Sequence, residues 1–103
     1  MRDYYFVEPH SGVFWIHLKT IEGLPFFCPK GSYNVLKARI LNLTYGDFLS
    51  FSLQHGATLK GKDGGYIVEF FQKQQDAEKM CALLNKNFNK ILEYIESEKE
   101  EKK

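Results

Sequence analysis

The sequence predicts an α+β domain. It has a small antiparallel sheet from two β-hairpins, at about residues 3–8/12–19 and 57–61/66–71, two short helices between them, and a long C-terminal helix packed on the sheet. Three stretches carry this reading. From Asp76 to Ile95 the residues Ala77, Met80, Cys81, Leu84, Phe88, Ile91, Leu92 and Ile95 recur on one side of a 3.6-residue wheel, with Glu78, Lys79, Lys86, Asn89 and Glu93 opposite. Aromatic and β-branched runs flank Pro9-His10-Ser11-Gly12, and a second such pair flanks Gly61-Lys62-Asp63-Gly64-Gly65.

In chain order, Tyr4 to Val7 and Val13 to Leu18 form the first hairpin around a four-residue, Gly-ended loop. Both strands are apolar at consecutive positions, unlike a half-solvated antiparallel strand, which alternates apolar with polar. Glu22 to Gly31 holds two Pro and two Gly, a packed-down connection with at most an edge strand at Phe26 to Cys28. Tyr33, Leu36 and Ile40 at helical spacing predict a helix over Tyr33–Leu41, although Leu36, Ala38 and Ile40 equally suit a strand.

Thr44 followed by Asp47 is a capping-box start, with Leu43 and Phe48 in the hydrophobic-staple positions, and Gly56 stands where a left-handed residue closes a helix. A helix over Tyr45–His55 follows. The second hairpin takes its turn from the glycines of residues 61–65 and feeds the long helix. Residues 1–97 form a single domain, and the Glu/Lys tail of 98–103, without an apolar residue, is expected to be disordered.

Composition excludes several classes. With 103 residues, 44% apolar and 16% aromatic, the chain holds core material for one domain. The net charge of +1 gives no global pull toward nucleic acid or membrane. No apolar run approaches the length of a membrane span, and no secretory core follows Met1-Arg2-Asp3, so a cytoplasmic protein with reduced thiols is expected and the Asn42-Leu43-Thr44 sequon should stay bare. Excess Phe, Tyr, Ile, Asn and Lys over Gly, Ala, Arg and Pro suggests an AT-rich coding sequence, as in a low-GC bacterium, a phage or a mobile element.

No catalytic motif stands out. The loop of 61–65 lacks phosphate-loop spacing and precedes a strand. His10, His17, His55 and Cys28 show no paired ligand spacing, so no metal and no cofactor is expected. Cys81 lies on the apolar helix stripe, and a catalytic Cys28 would have His17 as its base. The acids, Glu69 among them, read as loop, cap and solvent-face residues, and the chain is expected not to be an enzyme.

Two binding readings remain. Lys79, Lys86 and Lys90 share a helix stripe, with Asn85 among its solvated neighbours, and together with Lys60 and Lys62 they form a candidate nucleic-acid surface. The leading reading is a protein-interaction module, an adaptor or an inhibitor of a larger protein, or a self-associating chain, with no small-molecule substrate. Its candidate interface is Tyr4, Tyr5, Phe14, Trp15, Phe26 and Phe27, because one helix covers one sheet face and the first hairpin is apolar on both. The two short helices covering the second face is the alternative.

Overall fold

A computed structural model describes residues 3–19 and 33–101, the last seven as backbone alone. Four strands, β1 (Tyr5–His10), β2 (Val13–Leu18), β3 (Ala57–Gly61) and β4 (Ile67–Phe71), form one antiparallel sheet in the order β1-β2-β4-β3. Helices α1 (Tyr33–Ile40) and α2 (Tyr45–Gln54) lie between the hairpins in sequence, and α3 (Gln74–Glu101) packs on the sheet. The expected short edge strand at Phe26 to Cys28 lies outside the described residues.

The first hairpin is tighter than the sequence predicts. Ser11 and Gly12 both take positive φ, 51° and 84°, the pattern of a two-residue type I′ turn whose twist matches the flanking strands. Pro9 and His10 therefore belong to β1, paired with Phe14 and Val13, and not to a four-residue loop. Pro9 is tolerated because β1 is an edge strand.

Residues 33–40 are helical. Asn42 at φ 58° closes α1 in a Schellman arrangement, its N–H donating to Arg39 O and that of Leu43 to Ala38 O. Thr44 caps α2 by accepting from the Asp47 N–H at 3.1 Å. The helix α3 continues to Glu101, into the tail expected to be disordered from residue 98. Glu and Lys are strong helix formers, and extending an existing helix avoids the unfavourable nucleation step.

The core lies between one sheet face and all three helices. From α3 come Ala77, Met80, Cys81, Leu84 and Phe88, all buried, which meet Tyr5, Ile16, Phe71 and Ala57 of the strands and Ile40 of α1. Strand alternation directs Tyr5, Val7, Phe14, Ile16, Leu59, Glu69 and Phe71 inward, and Phe6, Glu8, His10, Val13, Trp15, His17, Thr58, Lys60, Val68 and Phe70 outward. Among the described residues no helix covers the outward face. The alternative in which the two short helices cover it does not hold, because Lys37 of α1 and Ser52 of α2 both reach Glu69 on the inner face.

Candidate functional site

The outward sheet face is the candidate site. Trp15 and Phe70 lie side by side across β2 and β4, with ring centroids 5.5 Å apart. On β1 Phe6 lies 5.6 Å from the His17 ring, and Lys19 sets its ammonium 5.9 Å from the Phe6 centroid. Trp15, Phe70, Phe6, Val13 and Val68 are all half-buried. Their neighbours in the same layer screen part of each ring, and no helix among the described residues covers the rest. Other exposed large apolar side chains, Leu53 and Tyr94 among them, are scattered singly on helices.

Ionisable groups border these aromatics. Along the outward face of the first hairpin, Nε2 of His10 lies 3.6 Å from Glu8 Oε1 and Nε2 of His17 lies 3.6 Å from Glu8 Oε2. The three side chains gather because Glu8 and His10 are two apart on one strand and the Ser11-Gly12 turn lays β2 beside them. A spacing test on His and Cys alone misses this group, since one member is a carboxylate and another arrives across the hairpin.

Below the sheet, β2 and β4 are registered at Phe14–Phe71 and then separate. Trp15 to Leu18, Tyr66 to Glu69 and the start of α1 line the resulting cleft of about 270 Å³. Asn34 occupies part of the gap, donating its side-chain N–H to Ile67 O at 2.8 Å, a carbonyl of β4 where that strand is paired with β3 but, among the described residues, no longer with β2. On the inner side of the cleft Lys37 Nζ meets Glu69 Oε1 at 2.9 Å and Ser52 Oγ donates to Glu69 Oε2. Glu69 is thus a buried partner of two helices and not a solvent-face acid.

Of the residues predicted to form a protein interface, Tyr4 and Tyr5 are core residues. Tyr4 stacks on Phe88 at 4.9 Å, and Tyr5 is 2% exposed. They point inward because α3 crosses the hairpin's inner side at its open end. Phe14 also points inward, opposite Phe71, and packs against the core. Trp15 lies on the outward face, while Phe26 and Phe27 lie outside the described residues. The ring beside Trp15 on that face is Phe70, and Phe6 shares the face beside His17; the sequence-based set lacks both.

The lysines do not share one surface. Lys60 is on the outward sheet face by strand alternation and Lys62 is in the following turn, whereas Lys79, Lys86 and Lys90 are on the exposed side of α3, in the opposite layer. Cys81, the free cysteine among the described residues, is buried against Tyr5 O at 3.2 Å. Burial, reinforced by the nearby charge of Glu78, pushes its thiol from the ordinary 9.0 up to about 11. A thiol so held is a poor nucleophile. The Cys28–His17 pairing lies outside the described residues, and the near neighbours of His17 are Glu8, His10 and Phe6. No helix among the described residues is long and apolar enough to cross a membrane. Compared with known proteins, the chain matches no family, no curated sequence and no solved structure.

Proposed function

We propose that the chain is a small, non-enzymatic protein-interaction module of the cytoplasm, an adaptor or an inhibitor of a larger protein, that docks through the outward face of its sheet. The observation behind this reading is the segregation of the three described helices to one side, which leaves Trp15 beside Phe70 and Phe6 beside His17 on the other. An aromatic centre bordered by charged and polar groups, here Glu8, His10, His17, Lys19 and Lys60, is the usual anatomy of a docking patch. The occupant we propose is a heterologous protein. The test compares wild type with Trp15→Glu and Lys86→Glu as baits. A stoichiometric partner held by wild type and by Lys86→Glu but lost with Trp15→Glu supports the reading, and a partner equally held by all three overturns it. Light scattering on the same preparations identifies self-association as the other outcome.

A second reading rests on the same aromatics. Rings presented on an open sheet face also stack nucleobases, and Lys60 shares that face. Single-stranded oligonucleotide titrated at about 50 mM salt, where phosphate contacts are least screened, separates it from protein docking.

A further inference from the structure

We propose that Glu8, His10 and His17 form a binding site for a divalent transition-metal ion of the zinc class. Each residue presents one ligand atom, and these atoms lie within 4.8 Å of one another. The two Glu8 oxygens are already divided between the two rings, each 3.6 Å from one Nε2. Donors of a tetrahedral site with metal bonds of about 2.0–2.1 Å stand about 3.3 Å apart, so the group is an adjustment of side-chain rotamers away from ligating geometry. Two imidazoles and a carboxylate suit zinc and leave a fourth position for water or an incoming ligand.

A second, independent observation points the same way. Nε2 of His17 is out of contact with solvent and has no hydrogen-bond partner among the described residues. A polar atom left in that state ordinarily destabilises a fold, and this one faces the Glu8 carboxylate and lies beside the His10 ring, whose centroid is 5.5 Å from its own. An ion between them would satisfy the His17 nitrogen and both of its neighbours. The scaffold is prepared, because the two-residue turn and the ladder from Tyr5–Leu18 to His10–Val13 fix where all three side chains start. Although His17 Nε2 is itself screened from solvent, 47% and 49% of the Glu8 and His10 side chains that face it are exposed, so rotation of those two side chains admits an ion without opening the fold.

The test uses Co²⁺ alone on the full chain, followed by Zn²⁺ as competitor. Co²⁺ should bind at one per chain with the visible absorption of a low-coordinate site. It should also quench Trp15, the sole tryptophan and the cross-strand partner of Glu8, and Zn²⁺ should reverse both signals. Glu8→Gln, His10→Ala and His17→Ala should each weaken binding by at least about tenfold, as loss of a metal ligand does, while His55→Ala, at the C-cap of α2 and outside the cluster, should leave it unchanged. Should His17→Ala unfold the hairpin by circular dichroism, His10→Ala, nearer the turn, carries the test. Binding that is unsaturable, that survives His10→Ala, or that disappears with His55→Ala overturns the proposal. No partner enters this measurement, so its failure leaves the docking reading standing, and failure of docking leaves the metal site standing.

Discussion

The side-chain amide of Asn85 clamps the backbone of Tyr5, accepting its N–H at 2.7 Å and donating to its C=O at 3.0 Å across eighty residues of chain. These backbone groups belong to an edge strand, and Asn85 meets both as a neighbouring strand would. Asn85→Ala removes the side-chain acceptor of the Tyr5 N–H and the stronger of two donors to its C=O, which keeps the Cys81 thiol, and should destabilise the protein by about 1–3 kcal/mol in urea unfolding. Lys86→Ala, one position away and exposed, should shift stability by less than about 0.5 kcal/mol.

The pair of Lys37 and Glu69 calls for a double-mutant cycle. Both side chains are buried, 4% and 0% exposed, so removing one strands the other's charge. Lys37→Met and Glu69→Leu should each cost about 3–5 kcal/mol by thermal or urea melts. The double substitution should cost much less than their sum, because it strands no charge, although Ser52 loses its acceptor. Strict additivity would mean the ion pair is not coupled in the folded state.

Cys81 gives a pH dependence with a definite sign. Its thiol ionises near 9.0 when unfolded and near 11 when folded, so between those values the unfolded chain binds fewer protons and stability falls as pH rises. Comparing urea unfolding of wild type and Cys81→Ala from pH 8 to 11 isolates this component from other alkaline titrations. The wild type should lose stability more steeply, and reagents for thiols should react slowly at Cys81 below that range.

The two sheet faces should respond differently to substitution. Leu84→Asp places a charge in the core and should cost several kcal/mol. Phe70→Ser, on the outward face, should cost no more than about 1–2 kcal/mol, since the ring is only half-buried. Equal damage from both, read by thermal melts, would mean that Phe70 is enclosed.

The strong periodic signals were legible. The stripe of α3, the Thr44 start of α2 and the paired β-rich runs specify elements through local chemistry, and the architecture follows from them. What local chemistry leaves open is which strand residue faces which layer. Runs such as Tyr4 to Val7 are apolar throughout, so alternation gives no preference until a helix is placed, and the sequence alone does not show that Tyr4 and Tyr5 are core and not interface. The turn at Ser11-Gly12 mattered further. Reading Pro9 and His10 as loop removed His10 from the strand, and with it the gathering of Glu8, His10 and His17. Asn85 and Glu69 read as solvent-facing because a polar side chain at a buried position announces itself only through its partner, and theirs lie 80 and 32 residues away.

On the proposed docking mode, the outward face around Trp15 is open in the free chain and covered by a partner. Acrylamide quenching of Trp15 emission, measured at a dilution where the chain sediments as a monomer, tests it most directly. Quenching should be ready in the monomer, and shielding should appear once the captured partner is added at stoichiometric amounts. Emission already shielded in the monomer would contradict it, because the chain would then be covering that face itself.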